Sequence, residues 1–490
     1  MMLVMCVLCF LARTPMTGAW APARGRLPKG VLGRSVLRRR GGAELKMMSS
    51  PKLVYDGLFG GLALAAVAAK VANKNDKTVV VKERNALGDR FLPVFWLLRA
   101  ADWLQGPYFY EVYASKVSTD VVAKLFLAGF GSTAICGPFV GRLTDRYGRK
   151  AGTLVFSVVY AMAALTTRSN DLKVLFLGRV LSGIGTALLF SAPEAWLVGE
   201  AKRTNSTTLG ATFGSAYGGD ALVAIGAGQL ASLAAYFRGP TGPFELSVLF
   251  LIFGFCTAAL RWTENVATPD SSSSSKTGIA TACRVILNDK RILLVGGVQA
   301  LFEGAMFIFV LQWPPAVTTA VRAFFGSAAV PFGKVFSCFM VCCLLGSTFF
   351  AKLQSQKVPE EKTVAGLTIL ATIAMASATL ATKATAAFPL MSLGALTAAF
   401  FAFEFCVGLY FPSIGTLRAK YVPDAHRSVI MNLFGIPLNA IVVATFLSIK
   451  HLGIDGALGV ATSALGLASL SMATLVARNK KEEATIVPAL

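Results

Sequence analysis

"GRLTDRYGRK", residues 141–150, packs two glycines, a single aspartate and four basic side chains between two long apolar runs. The glycines permit a tight turn and close helix approach. An acid set among bases can engage the end of a neighbouring helix. Such a loop makes sense as a short connection between membrane-spanning helices, and the rest of the chain agrees.

Hydrophobic residues make up 55% of the 490 and charged residues only 15%, with a mean hydropathy of +0.62. That leaves too little polar surface to coat a soluble globule, so a polytopic membrane protein is expected. The formal charge of +22 lies in short runs between apolar segments, which argues for topology signals and against a nucleic-acid partner. The cysteines show neither disulfide nor zinc spacing, and there is no nucleophile elbow and no phosphate-cradling glycine loop. No enzyme activity, metal or cofactor is expected.

Apolar runs of spanning length start near Leu53, Phe91, Val121, Ala151, Leu172, Thr208, Phe244, Ile292, Pro331, Thr363, Phe388, Val429 and Ile454. The fold expected is all-α: an extra N-terminal helix (53–72), an N-terminal six-helix half (91–262) and a C-terminal six-helix half (292–477). A loop at 263–291 carries the serine run Ser271–Ser275 between the halves, and a charged tail follows at 478–490. Alternate loops collect the basic residues, among them Arg146, Arg149 and Lys150, then Lys202 and Arg203, then Lys352 and Lys357, then Arg418 and Lys420. By the positive-inside rule this face is cytoplasmic, or its stromal equivalent.

Residues 1–52 read as a cleavable presequence. "MMLVMCVLCF" has the length of a signal-peptide core, and a basic, acid-poor stretch follows it. With "GAWAPA" at the junction, this resembles the bipartite plastid presequences of algae. A plastid envelope is therefore one expected location, and the plasma membrane is the alternative.

The two halves share a short repeat. "WLQGPYFY" aligns with "LFEGAMFIF", matching Gln105 to Glu303, Gly106 to Gly304 and Phe109 to Phe307, as parallel halves of a transporter would.

Residues 141–150 resemble the signature loop of the major facilitator superfamily and fall where that superfamily has it, between the second and third core helices. The resemblance implies that Gly141, Asp145, Arg146, Gly148, Arg149 and Lys150 form a gating latch, with Asp145 facing Arg427 and Ser428. "GRVLSGIGTALLFSAPEAWL", residues 178–197, resembles the superfamily's fourth-helix motif, which implies a coupling pair between Arg179 and Asp102. "DWLQGPYFYEVY", "ALFEGAMFIFVLQWPP", "GLYFPSIGTLR" and "PDAHRSVIMNLFGIPLN" together are similar to the molybdate-anion transporter family. The resemblance also implies an arginine where this chain has Gly435.

The function this implies is secondary active transport of a small oxyanion, most simply molybdate, by alternating access. An oxyanion needs fixed donors in place of its hydration shell, and arginine supplies a permanently charged fork of them. The substrate-binding candidates are Arg179, read as the arginine deepest in the core, with Gln105, Tyr108, Asn432 and Asn439. Membrane-embedded acids are candidate proton carriers, here Asp102, Glu194, Glu303 and Glu404. The expected partners are the oxyanion, protons and the lipid bilayer, with the chain a monomer. A proton-coupled carrier of an organic solute and a non-transporting sensor of the same fold stay open as alternatives.

Overall fold

A computed structural model describes residues 50–72, 86–266, 279–423 and 427–486. The expected presequence and the serine run of the linker lie outside the described residues. Helices make up the fold, and among the described residues there is no strand.

Helix α1 spans Pro51–Ala72, and α2 spans Ala86–Gln105, continued through a 3-10 turn at Gly106–Tyr108 into α3, Phe109–Ala114. The N-terminal half continues with α4 (Thr119–Tyr147), α5 (Arg149–Thr166), α6 (Leu172–Arg203), α7 (Leu209–Arg238) and α8 (Gly242–Arg261). A short helix α9, Ile279–Asn288, lies within the expected linker. The C-terminal half is α10 (Lys290–Phe325), α11 (Phe332–Ser355), α12 (Glu360–Ala384), α13 (Pro389–Tyr421), α14 (Arg427–Leu447) and α15 (Ile449–Ile486). A positive φ of 66° at Gly453 breaks α15 one residue before the expected start at Ile454.

Each expected apolar run falls on a helix. Nine stretches among the described residues are long and apolar enough to cross a membrane by length and composition alone. Helices α2 and α5 are not among them, because α2 carries Asp89, Arg90, Arg99 and Asp102 while α5 begins with Arg149 and Lys150. Of these, Arg99 and Asp102 lie within the span and are engaged by neighbouring side chains, as embedded charge requires, whereas Asp89, Arg90, Arg149 and Lys150 lie at helix ends.

Packing repeats between the halves. In the first, α2 packs on α7 and α8, α6 on α4 and α5, and α5 on α8. In the second, α10 packs on α14 and α15, α13 on α11 and α12, and α12 on α15. The halves meet through α7 against α11 and α4 against α14, two contacts that exchange under the same pairing of helices. Parallel repeats related by a pseudo-two-fold axis produce this pattern.

The named contacts of that seam lie toward the face away from the basic loops. Ser337 Oγ donates to Ile225 O at 2.9 Å, and a Cβ on Gly333 would meet Ser232 N at 2.7 Å. Phe126 of α4 packs edge-on against Phe446 of α14 (5.1 Å), Phe130 against Phe307 (4.7 Å) and Phe109 against Phe126 (5.1 Å). Phe109 and Phe307, matched by the sequence repeat, thus both enter one aromatic plug.

Although it precedes the N-terminal half, α1 attaches to the C-terminal one. Tyr55 Oη and Thr397 Oγ1 share a hydrogen bond of 3.1 Å, and Asp56 pairs with Lys334 of α11. Beyond Pro51 and Tyr55 none of its side chains is buried.

Within the C-terminal half, a Cβ on Gly408 would strike the carbonyl of Cys343, whereas one on Gly366 would meet nothing within 4 Å. Gly408→Ala should therefore destabilise the protein by about 1–3 kcal/mol through overpacking. Gly366→Ala should be neutral or stabilising by up to ~1 kcal/mol, because it removes only a glycine's helix penalty. Melting of the two detergent-solubilised variants beside the wild type checks this difference in sign.

Candidate functional site

Midway along the rod formed by α2 and α3 stands Arg99, only 8% exposed. Its Nε donates to Asp220 Oδ1 and its Nη2 to Asp220 Oδ2, both at 2.9 Å, a bidentate fork reaching from α2 to α7. Asp220 Oδ1 also accepts from Trp103 Nε1 at 2.9 Å. Arg99 Nη1 reaches Asp102 Oδ2 at 3.3 Å, and Asp102 Oδ1 accepts from Tyr160 Oη of α5 at 2.7 Å. The guanidinium lies 4.8 Å from the Trp103 ring centroid and 5.4 Å from that of Phe190. Phe190 is 59% exposed and Tyr217 51% exposed, so the cluster is open on the side of α6 and α7.

This corrects two expectations. The buried arginine is Arg99, because its helix begins at Ala86 and so places it near mid-span rather than near a start at Phe91. Arg179 sits two turns from the start of α6, partly buried: its Nη1 donates to Ser182 Oγ (3.0 Å), its Nε to Leu125 O (3.4 Å), and it lies 4.4 Å from the Phe109 ring centroid. The expected pairing of Arg179 with Asp102 is not formed. Asp102 lies one helical turn from Arg99 on the same face and is engaged there. Among the described residues no carboxylate is within ion-pair distance of Arg179.

Asp220 was absent from the sequence reading. It stands in a run of small residues, "SAYGGDALVAIG", and its signal was that of any embedded acid, a charge whose cost needs a partner.

The other expected residues are dispersed. Gln105 Nε2 donates to Ser247 Oγ of α8 at 2.9 Å, and Tyr108 packs edge-on against Phe332 at 5.7 Å, on the seam between the halves. Glu194 accepts from Tyr217 Oη. Glu303 accepts from Tyr410 Oη at 3.2 Å and does not face Glu404. Glu404 is 7% exposed, lies by Cys342 and Cys343, and has no hydrogen-bond or ion-pair partner among the described residues. Asn439 is exposed, 3.9 Å from where a Cβ on Gly435 would stand, so a side chain has room at Gly435. The side chains of Asn432, Arg427, Ser428 and Asp145 lie outside the described part.

The expected latch is held by a segment the sequence reading assigned to the linker. Glu264 accepts from the backbone N–H groups of Lys150 and Ala151, both at 2.9 Å, capping α5. Asn265 O accepts from Arg149 N at 3.1 Å. Gly148 has a φ of 126°, and a Cβ there would meet Glu264 Oε2 at 2.6 Å. Trp262 stacks on Trp196 at 4.0 Å, fixing the segment to α6. Lys150 Nζ reaches Ala259 O at 2.8 Å, while Arg146 and Gly141 make no such contact with the segment. Among the described residues no group of three or more His, Cys, Asp or Glu is placed to hold a metal.

Removing Arg99 alone leaves two embedded carboxylates uncompensated, so Arg99→Gln should cost about 3–5 kcal/mol. The double variant Arg99→Gln with Asp220→Asn should recover part of that loss. A double-mutant cycle on the melting of purified protein measures the coupling, and strictly additive losses would count against it.

The sequence and the fold place this arrangement among known carriers. A family model described as sugar transporters with twelve transmembrane helices matches residues 54–410. The molybdate-anion transporter of Xenopus tropicalis is 32% identical over 357 residues, covering 71% of this chain and 76% of that protein. The molybdate-anion transporter of Danio rerio is 29% identical over 416 residues, 79% of this chain and 84% of that one. Among solved structures, a nucleoside transporter superposes with a TM-score of 0.64 over 80% of this chain and 99% of its own, at 13% identity, a likeness of fold alone. The chain is a multi-pass membrane transporter and belongs to the molybdate-anion transporter family of the major facilitator superfamily.

Proposed function

We propose that this transporter carries a small oxyanion, molybdate, by alternating access. The observation that carries the reading is the match to proteins named molybdate-anion transporter along most of both chains. The site chemistry supports it. Arg99 is a permanently charged fork at mid-membrane, with one side open past Phe190. A tetrahedral dianion exchanging water for fixed donors needs such a group. Asn439, exposed on α14, and Asn432 on the same helix would add uncharged donors from the other half.

Arg179 and Tyr108 take part at the closed end of the path, where Arg179 lies on Phe109 of the aromatic plug and Tyr108 lies on the seam. Gln105, tied to Ser247, holds the wall of the path from the side of α8. Asp102, Glu194, Glu303 and Glu404 supply embedded carboxyls for proton exchange. With the basic face cytoplasmic or stromal, a seam closed on the other side makes this an inward-facing state. The loop 141–150, steadied by Glu264, serves as the latch of the opposite state.

Proteoliposomes test the reading. Saturable uptake of molybdate, competed by sulfate and driven by an inwardly directed proton gradient, is expected for the wild type. Arg99→Gln should abolish it, and Arg179→Gln should slow it more than it weakens binding. A folded wild type that takes up no molybdate under any gradient would sink the oxyanion assignment and direct the search to organic solutes.

A further inference from the structure

Lys334 is the third residue of α11, on the outer side of the protein, away from the basic loops, and its side chain is only 16% exposed. It stands where the two halves touch. Its neighbour Gly333 lies against Gly228 and Ser232 of α7, and Ser337 Oγ, one turn further along α11, donates to Ile225 O at 2.9 Å. The Lys334 ammonium pairs with Asp56 of α1 and also donates to Gln229 Oε1 of α7 at 3.4 Å. The Gln229 Nε2 is buried without a hydrogen-bond partner among the described residues, so it is the acceptor end of that amide that serves the seam. One ammonium thus joins α1, the C-terminal half and the N-terminal half.

The attachment of α1 is one-sided. Tyr55 Oη bonds to Thr397 Oγ1 of α13 at 3.1 Å, and Cys338 Sγ of α11 donates to Tyr55 O at 3.8 Å, whereas among the described residues no hydrogen bond or ion pair joins α1 to α7. When rocking parts α7 from α11 at the outer end, Lys334 therefore loses Gln229 and keeps Asp56. A cation covered by a closing helix without a counter-charge is costly, while the same cation reached by water is not. We propose that α1 is the counter-charge element of the outer seam: Asp56 neutralises Lys334 so that α7 closes over it, and without Asp56 the charge on Lys334 holds the seam open. Asp56 and Lys334 are positioning residues that set the balance between inward-facing and outward-facing states without touching the solute. The inference rests on the alternating-access reading and not on the identity of what is carried.

The test reads the outer seam directly. Full-length protein in nanodiscs carries a fluorophore pair at Tyr236, near the end of α7, and Met391, near the start of α13, two exposed outer positions on opposite halves. The dyes are attached through non-natural amino acids, which leaves the native cysteines untouched. Single-molecule energy transfer then gives the ratio of open to closed seams. Asp56→Asn should raise that ratio about tenfold over the wild type, and Asp56→Glu should restore it. Lys334→Gln should stay closed, because the amide still reaches Gln229 and Asp56, 37% exposed, meets water at the rim. The double variant should behave as Lys334→Gln does, since Asp56 has no charge left to neutralise. Tyr55→Phe, which loosens α1 but keeps the ion pair, should leave the ratio unchanged. In proteoliposomes Asp56→Asn should lower both the external KM and kcat, as a population held outward-facing does.

A folded Asp56→Asn with the seam ratio of the wild type would overturn the proposal. So would a double variant as open as Asp56→Asn, or a Tyr55→Phe that opens equally, because either outcome makes the docking of α1 and not its charge the cause. The two readings fail separately. A distance that stays fixed in the wild type and in every variant, with no uptake of any solute, sinks alternating access itself, whereas a wild type that moves between two distances while Asp56→Asn matches it sinks only the role of α1.

Discussion

The Arg99 to Asp220 ion pair is the constraint around which the N-terminal half is arranged. A charged side chain at mid-membrane costs about 2.5–3.5 kcal/mol even on lenient insertion scales. Its partner has to come from another helix with geometry good enough to offset both desolvations. That requirement takes α2 out of contact with lipid and places it between α7 and α8. It also brings Trp103, Asp102 and Tyr160 to one place, since each satisfies a donor or acceptor that lipid could not.

The two-fold repeat makes the contrast between halves informative. Extending the sequence repeat along α2 and α10 sets Arg99 opposite Gly297 and Asp102 opposite Ala300. "DALVAI" from Asp220 on α7 runs parallel to "NAIVVA" from Asn439 on α14. The positions that build a charged cluster in one half are therefore uncharged in the other, where a Cβ on Gly297 would meet nothing within 4 Å. The C-terminal half keeps its acids elsewhere: Glu303 toward Tyr410, Glu404 beside the cysteines of α11. The two halves thus share their packing but not their charge.

Stiffness is distributed unevenly along the membrane normal. On the basic face, Trp262, Glu264 and Asn265 bind the turn at Gly148 into the N-terminal half. On the other face, α7 and α11 approach through Gly228 and Gly333, and phenylalanines of both halves interlock. A rigid half on one side of a close, small-residue seam is the mechanical arrangement that rocking requires.

Composition and periodicity by themselves determined the membrane fold, the succession of apolar runs and the extra N-terminal helix, because hydrophobic length and loop charge are local properties of a chain. The repeat around Gln105 and Glu303 even located two phenylalanines of the plug. Which arginine lies deepest, and with whom it pairs, was decided only by the tertiary structure. Arg99 and Asp220 are 121 positions apart, and no spacing rule joins them. Glu264 was read as linker for the same reason, since its role depends on a backbone turn more than a hundred residues away. Charges in lipid must find partners, and the sequence states only that need; the fold chooses which helices meet it.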